Sequence, residues 1–189
     1  MKIRKKKIQL IAEVKTDSPF GFKSTKSWDE LFSVAEKVGD IISIHTDPRW
    51  HGSFDLITKA KKLTTKSILA KGIHATDDLI EQAISAGADY VLVVGRIPTI
   101  HVEKCIVEPL TLEELNSVPH DMKALWNSRD LNTGGLKGES FADARKIFSG
   151  WLCQASNIKN IHDVNENADA VLVGTHLVEF VESFGLTSL

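Results

Sequence analysis

The stretch Gln9-Leu10-Ile11-Ala12-Glu13-Val14-Lys15-Thr16-Asp17-Ser18-Pro19 decides the fold. Its first half is a short apolar run, which predicts a buried strand, and Ser18-Pro19 then ends that strand in a loop. Glu13 and Lys15 are two residues apart, so their side chains point to the same face of the strand. Two charges enclosed by apolar neighbours would be costly to desolvate. The stretch therefore predicts either a barrel strand with both charges at its C-terminal mouth, or an edge strand with a solvated Glu/Lys pair.

The rest of the chain repeats one unit, in which a helical segment is followed by a small residue with an Asp and then by an apolar strand. Segments 27–38, 76–86 and 160–167 have this helical character, and they precede the apolar runs 41–44, 90–94 and 168–174. This is the αβ half of a βα repeat. The other predicted strands are 8–14, 67–70, 104–107, 122–126 and 150–154.

Eight strands alternating with helices favour a (β/α)8 TIM barrel over a doubly wound sheet. The strands are nearly continuous apolar runs, which is typical of parallel strands covered on both faces. No Gly-x-Gly-x-x-Gly motif opens any of the predicted helices. With 189 residues, 42% hydrophobic and 25% charged, the chain is long enough to bury a core, and we expect residues 1–189 to form a single domain.

The chain is short for this fold, because a typical barrel has about 250 residues. Only 95–103 separates the fourth strand from the fifth, and Gly95 and Pro98 make this segment unsuitable for a full helix. The next helix, near 111–117, is barely two turns long. We predict a barrel trimmed around the fourth helix, whose exposed strand surface a second copy of the chain could cover as a homodimer.

Charge and composition exclude several classes of protein. The net charge is −2 and no long basic block follows residue 7, which argues against a nucleic-acid surface. No apolar segment approaches membrane-spanning length, and the run after the basic residues 1–7 is too short for a signal peptide. Cys105 and Cys153 follow no metal-ligand spacing and lie in predicted strands, which suits reduced core thiols. We expect a cytoplasmic protein that binds no nucleic acid, membrane or metal.

Polar residues follow most of the predicted strands, and the mouth of a parallel barrel would bring them together. One charged residue beside a strand is common, but the whole set predicts a functional site. Its members are Glu13 and Lys15, then His45-Thr46-Asp47 with Trp50, Lys71, Glu108, Asn127-Ser128-Arg129-Asp130, Gln154-Ala155-Ser156-Asn157, and Gly174-Thr175.

These motifs resemble those of the indole-3-glycerol phosphate synthase family along nearly the whole chain. The resemblance is carried by Glu13-Val14-Lys15 with Ser18-Pro19, Thr46-Asp47 with Gly52-Ser53, Ile68-Leu69-Ala70-Lys71, Ala86-Gly87-Ala88-Asp89, Val107-Glu108 and Asn127-Ser128-Arg129-Asp130-Leu131. It implies a barrel of the ribulose-phosphate-binding type. It also implies a lyase of tryptophan biosynthesis that closes a ring on a carboxyphenylamino-deoxyribulose phosphate, loses carbon dioxide and water, and uses no cofactor.

The resemblance also implies roles for the catalytic residues. Ring closure turns a ketone into a leaving hydroxyl, so a cationic acid near the oxygen stabilises the developing charge. Lys71 matches this general acid, and burial in a barrel mouth can lower the pKa of a lysine. Glu108 matches the carboxylate that takes up a proton as the indole becomes aromatic. Lys15 matches the lysine that holds the substrate carboxylate or assists dehydration, with Glu13 orienting it.

Further residues match the binding contacts of the family. Arg129 could form paired bonds to a carboxylate, and Trp50 is either the face for the anthranilate ring or a core aromatic. An alternative for Lys71 and Arg129 is a structural ion pair with Glu13 or Glu108. The implied substrate contacts are Ser18, Trp50, Asn127 and Arg129, and the implied phosphate contacts are Ser156, Asn157, Gly174 and Thr175, at the start of the last helix.

The sequence departs from the family at several positions. Ala155 replaces a carboxylate, Asn157 replaces a glycine of the phosphate loop, and Gly72-Ile73 replaces acidic and aromatic residues. Asn tolerates left-handed backbone angles, so the loop could survive. The family's N-terminal extension over the mouth is also absent from this sequence. These departures count against full activity and leave two alternatives, a reaction on another sugar phosphate or a non-catalytic relative that binds a phosphate ligand or a partner protein.

Overall fold

The structure is a computed structural model that describes residues 7–183 of the chain. Eight parallel strands in this range form a closed barrel, in which each strand pairs with its sequence neighbour and β8 returns to β1. The strands are β1 Gln9–Val14, β2 Ile41–His45, β3 Ser67–Lys71, β4 Tyr90–Val94, β5 Cys105–Glu108, β6 Lys123–Asn127, β7 Leu152–Ala155 and β8 Ala170–Val173. The predicted (β/α)8 barrel is confirmed, and because β1 pairs on both sides, the edge-strand alternative is wrong.

Six α-helices lie between or after the strands in the described residues. They are α1 Trp28–Val38, α2 Phe54–Lys61, α3 Asp77–Ser85, α4 Leu112–Asn116, α5 Phe141–Ile147 and α6 Leu177–Glu182. The start of α1 is fixed by a capping box, in which the Ser27 hydroxyl accepts the N–H of Glu30 and the Glu30 carboxylate accepts the N–H of Ser27. Helices α1, α3 and α4 therefore confirm the predictions for 27–38, 76–86 and 111–117.

The helix predicted over 160–167 is wrong. The chain forms a single 3₁₀ turn, Ile161–Asp163, between β7 and β8. Asn160 accepts the N–H of His162, and Asp163 accepts the backbone N–H groups of Lys159 and Asn160. These side chains satisfy the backbone of one tight turn, which is how Asn and Asp compete with a continuing helix.

The buried side chains form two layers, because alternate residues of a strand face opposite sides. The barrel interior is filled by apolar side chains from the strands alone, such as Ile11, Leu69, Leu92 and Leu125. The outer layer packs the opposite strand faces against the helices. Ile11, Glu13 and Lys15 follow the inward alternation, so the apolar filling of β1 gives way to charges at the C-terminal end of the barrel.

A loop replaces the fourth helix, as predicted. Residues 95–104 contain only a 3₁₀ turn, Val102–Lys104, and the loop is fastened to α3. The Arg96 guanidinium donates to Asp77 at 2.7 Å and twice to the His74 carbonyl at 3.1 Å. Thr99 donates to Asp77, and the His101 ring lies 2.8 Å from the Glu81 carboxylate. Side-chain bonds along one helix therefore hold a segment that has no helix of its own.

The strand surface expected to be exposed at this flank is buried, so that expectation is wrong. The outward side chains Val91, Val93 and Cys105 have no exposed area, and Ile100 of the loop packs against their cluster. The loop itself exposes two apolar side chains, Ile97 and Val102, each at 42%. The homodimer predicted at this flank therefore loses its stated basis, the bare strand surface, and stays a prediction.

Two further expectations concern cysteines and membranes. Cys105 and Cys153 are free thiols and both are buried, as expected for core residues. Burial raises the pKa of the Cys105 thiol to about 11, so it stays protonated at neutral pH. No helix within residues 7–183 is long and apolar enough to cross a membrane.

Candidate active site

Two adjoining cavities open at the C-terminal ends of the strands. The first is lined by Lys15, Phe20, His45, Trp50, Lys71, Gly72, Ile73, Leu92, Val94, Glu108, Asn127, Arg129, Leu131 and Ser156. The second is lined by Glu13, Lys15, Lys71, Arg129, Ser156, Asn157, Ile158, Leu172, Val173, Gly174, Thr175 and His176. The three cations Lys15, Lys71 and Arg129 line both cavities. The site residues predicted from the sequence thus converge here, with the exception of Ser18.

Ser18 shapes the loop after β1 and is absent from the lining of both cavities. Its hydroxyl accepts the N–H of Phe20 at 3.2 Å, and its own N–H donates to the Phe22 carbonyl at 2.9 Å. The side chain is buried. The prediction that Ser18 contacts substrate is therefore not supported by its position, and the residue organises the turn that carries Phe20.

Glu13 is the buried anion of the mouth, and it is paired with Lys71. Its Oε1 accepts from the Lys71 ammonium at 2.8 Å and also contacts the His45 Nε2. Burial would raise the pKa of Glu13, but Lys71 and His45 together outweigh burial and hold the pKa well below its usual range. The β1–β2–β3 pairing brings Lys71 and His45 to the Glu13 carboxylate, and the expected role of Glu13 in orienting Lys15 stays a prediction.

Lys15 is held from the other side of the mouth. Its ammonium donates to the Thr175 hydroxyl at 3.1 Å and lies 5.5 Å from the centre of the Phe22 ring. Burial lowers the pKa of Lys15, Glu13 partly offsets that effect, and Lys71 and Arg129 add to it.

Glu108 is the second buried carboxyl group and has no cation bonded to it among the described residues. It accepts from the Asn127 side-chain amide at 2.8 Å. Burial raises the pKa of Glu108, and Lys71 and Asn127 offset only part of that effect. The Asn127 carbonyl oxygen accepts the N–H of Arg129 at 3.0 Å and the hydroxyl of Ser156 at 2.6 Å. Asn127 therefore joins the ends of β5, β6 and β7.

Arg129 lies in the loop after β6. Its guanidinium donates to the Gly134 carbonyl at 2.6 Å and lies 5.9 Å from the centre of the Phe20 ring. Within residues 7–183 no ion pair joins Arg129 to Glu13 or Glu108. The structural ion pair considered for Arg129 is therefore absent from this range, and the one considered for Lys71 is present.

One wall of the first cavity is aromatic. The Trp50 ring meets the Phe20 ring edge-on at 6.2 Å and stacks on the His45 ring at 5.8 Å with an interplanar angle of 7°. Gly134 provides the seat for Phe20, because a Cβ there would come within 2.5 Å of the ring and its φ of +75° disfavours other residues. Trp50 is thus a cavity wall and is not buried in the core.

The second cavity is bordered by the ends of β7 and β8. Ser156 and Asn157 have left-handed φ values of 70° and 57°, so the loop keeps a conformation that usually needs glycine. The Asn157 amide donates to the Ser128 hydroxyl at 3.1 Å. At Gly174 a Cβ would lie 1.7 Å from a Glu13 oxygen, which leaves no space for a side chain.

His45 was not predicted as a site residue from the sequence, although it lies among the polar strand ends. A signal for it existed, because Ile41, Ser43 and His45 alternate inward and Ser43 pairs with Glu13 in register. Ala155, which stands where the family resemblance implies a carboxylate, is buried and faces inward opposite Asn127. No carboxylate therefore ends β7.

Comparisons with known proteins give two kinds of likeness. A family model described as indole-3-glycerol phosphate synthase matches residues 1–122, which include Glu13, Lys15, Lys71 and Glu108. An indole-3-glycerol phosphate synthase of Sulfurisphaera tokodaii is 30% identical over 193 residues, covering 90% of this chain and 78% of the relative. One of Picrophilus torridus is 28% identical over 160 residues, covering 75% of this chain and 63% of the relative.

The structural likeness concerns the fold. A crystal structure of 3-hexulose-6-phosphate synthase has a TM-score of 0.62 and covers 92% of this chain and 100% of its own. The two sequences are 16% identical. At that identity the likeness shows a shared barrel and carries no argument about the reaction.

Proposed function

The chain belongs to the indole-3-glycerol phosphate synthase family, and on that premise we propose that it is a carboxy-lyase of tryptophan biosynthesis. The proposed reaction closes the indole ring of a carboxyphenylamino-deoxyribulose phosphate and releases carbon dioxide and water. The observation that carries the proposal is the convergence of Lys71, Glu108 and Lys15 on one cavity. A barrel that only binds a ligand has no need for a separate acid and base.

Lys71 is the proposed general acid. When the aromatic carbon bonds to the ketone carbon, the carbonyl oxygen gains negative charge, and an adjacent ammonium stabilises that charge and supplies a proton. The same oxygen later leaves as water. The ion pair with Glu13 fixes where the Lys71 ammonium lies, so a structural pair and an acid role are compatible.

Glu108 is the proposed base. Loss of water completes the aromatic ring and requires a proton to be removed from the ring that has just closed. A carboxylate serves best as base when its pKa lies near the working pH. Burial moves the pKa of Glu108 in that direction, and Asn127 holds the side chain in place.

The remaining contacts suit the two ends of the substrate. Lys15 and Arg129 are the cations proposed to bind the substrate carboxylate, which must be desolvated before carbon dioxide leaves. Trp50 and Phe20 are proposed to stack on the anthranilate ring. The cations also border the second cavity, which supports binding of the phosphate there, beside Ser156, Asn157, Gly174 and Thr175.

A second candidate is a reaction on another sugar phosphate with the same acid and base. The observation that favours it is Ala155, which puts a methyl group where the family resemblance implies a carboxylate. A substrate without the group that this carboxylate would contact fits such a mouth equally well.

The test is turnover of the carboxyphenylamino-deoxyribulose phosphate, followed by the rise of indole fluorescence. We expect a rise with the parent protein and its loss in the double variant Lys71→Met/Glu108→Gln. Lys104→Met, a lysine on the trimmed flank, is the control for loss of a lysine elsewhere. No fluorescence from a folded parent protein would contradict the proposal, and turnover of other ribulose phosphates would then favour the second candidate.

A further inference from the structure

His45 is a buried polar residue of the mouth to which the proposed reaction gives no role. It ends β2 with 5% exposure and faces inward beside Glu13. Its Nε2 contacts the same Glu13 oxygen that accepts from Lys71, and its ring stacks on Trp50. Its Nδ1 is buried and has no hydrogen-bond partner among residues 7–183. The His45 imidazole therefore connects the buried Glu13 carboxylate to the aromatic wall of the first cavity.

The contacts define the protonation state of His45. A carboxylate only accepts, so the Nε2 must carry the hydrogen that it donates to Glu13. A second hydrogen on Nδ1 would be a buried donor without a partner, which is costly. Lys71 and Lys15 also face the ring and oppose a positive charge there, while Glu13 and the nearby Asp47 favour one. Burial is the largest influence and lowers the pKa of His45, which agrees with a neutral Nε2–H imidazole.

We propose that His45 is a positioning residue that acts through Glu13 to hold the Lys71 ammonium in the cavity. The role rests on the proposed function, in which Lys71 is the general acid. One Glu13 oxygen receives two donors from two neighbouring strands, β2 and β3, so the carboxylate cannot rotate without losing both. Lys71 has a flexible side chain, so the position of its ammonium depends on how firmly the Glu13 oxygen is held.

The expected size of the effect follows from the geometry of proton transfer. Displacing a catalytic group by about 1 Å can lower a rate on the order of 100-fold. Loss of the His45 donor leaves the Glu13–Lys71 pair intact but free to move, so the effect falls short of removing Lys71. The defect should lie in kcat, because the substrate contacts of Lys15 and Arg129 do not involve His45.

Two substitutions separate the two contacts of the imidazole. His45→Phe keeps a ring against Trp50 and removes the donor to Glu13. His45→Gln keeps an N–H donor at similar reach and removes the ring. We expect His45→Phe to lower kcat by about 10- to 100-fold with KM nearly unchanged, and His45→Gln to keep kcat within about threefold while raising KM. Equal kcat in parent and His45→Phe, or equal loss in both variants, would overturn the proposal.

A second measurement does not depend on turnover, so it separates failure of this inference from failure of the proposed function. Side-chain ¹⁵N NMR of the unliganded protein should show His45 protonated on Nε2 and bare on Nδ1 at neutral pH. The Lys71 ammonium signal, assigned by its loss in Lys71→Arg, should be slow to exchange in the parent and in His45→Gln, and broadened in His45→Phe. An Nδ1–H tautomer, or an unchanged Lys71 signal in His45→Phe, would contradict the role of His45 even in an inactive protein.

Discussion

Two carboxyl groups in the same mouth have opposite pKa shifts, and their neighbours explain the difference. Both Glu13 and Glu108 are buried, which raises the pKa of each. Glu13 contacts an ammonium and an imidazole N–H, and these outweigh burial, whereas Glu108 is bonded to a neutral amide. The two environments therefore move the two pKa values apart, which is the pattern by which active sites divide acid and base roles between two carboxyls.

Replacing Glu108 separates activity from stability. Under the proposed mechanism Glu108→Gln lowers turnover by about 10²- to 10⁴-fold, because it removes the base. Because the pKa of Glu108 is raised in the folded state, the folded protein keeps this proton at pH values where the unfolded chain has lost it. The stability that the proton contributes is therefore complete below the pKa of Glu108 in the unfolded chain. It is lost as the pH rises through the pKa of Glu108 in the folded protein.

Glutamine is neutral at both pH values, so Glu108→Gln does not lose this stability as the pH rises. We expect its Tm to equal or exceed that of the parent at pH 8, and the Tm difference to be smaller at pH 5. Thermal unfolding at both pH values measures this. Glu113→Gln, at an exposed carboxylate of α4, is the matched control and should leave the Tm difference near zero. A lower Tm at pH 8 than the parent would mean that Glu108 is a structural group.

The inward direction of Glu13, Lys15, Lys71 and Glu108 could be predicted from the sequence, because each lies at the end of an apolar strand. Their pairing could not. Which side chain reaches the Glu13 carboxylate depends on the register between neighbouring strands, and that register brings Lys71 and His45 to Glu13 while Lys15 turns to Thr175. The two-residue alternation shows which side chains of one strand face inward, but it does not give the register between neighbouring strands.

Arg96 makes three of the hydrogen bonds that hold the loop replacing the fourth helix. Arg96 joins the loop to the start of α3 through its bonds to Asp77 and to the His74 carbonyl. We expect Arg96→Met to lower the free energy of unfolding by about 1.5–3 kcal/mol, the usual range for hydrogen bonds to charged groups. Urea unfolding followed by circular dichroism would measure the change.

Arg49→Met is the matched control for that prediction. Arg49 also pairs with an aspartate, Asp47, but its side chain is 60% exposed. Exposed pairs contribute about 0–1 kcal/mol, so this variant should be close to the parent. If the two substitutions cost the same, the contacts of Arg96 do not hold the loop.

Strands were easier to predict than helices, and the reason is physical. A strand buried on both faces needs a continuous apolar run, which is visible in the sequence. A short helix on the outside needs only one apolar face, and Asn160 and Asp163 can end it after one turn by binding the backbone themselves. The segment 160–167 had the spacing of a helix but the capping residues of a turn.

The predicted phosphate site exists only in the folded barrel, so it can be tested without substrate by measuring stability. A ligand that binds only the folded state raises stability by about 2.7 kcal/mol at 100 times its Kd. Inorganic phosphate should therefore raise the Tm in proportion to the logarithm of its concentration above Kd, and sodium chloride at equal ionic strength should not. Differential scanning fluorimetry gives both curves.

Asn157→Asp is the variant for this experiment. Aspartate has nearly the same size and also tolerates the left-handed φ of this position. Its charge repels an anion in the second cavity, so the Tm response to phosphate should shrink while the Tm in chloride stays near that of the parent. A full phosphate response in this variant would place the anion elsewhere.

Gly174 has a consequence for the order in which this sequence can change. Its missing side chain is the space that a Glu13 oxygen occupies, so the two positions are coupled across the β1–β8 seam. A mutation at 174 that adds even a methyl group must first displace the carboxylate, and with it the contacts of Lys71. In genetic terms, a substitution at Gly174 is easier to accept once position 13 has shortened. A lineage that keeps Glu13 and its contacts therefore favours glycine at position 174.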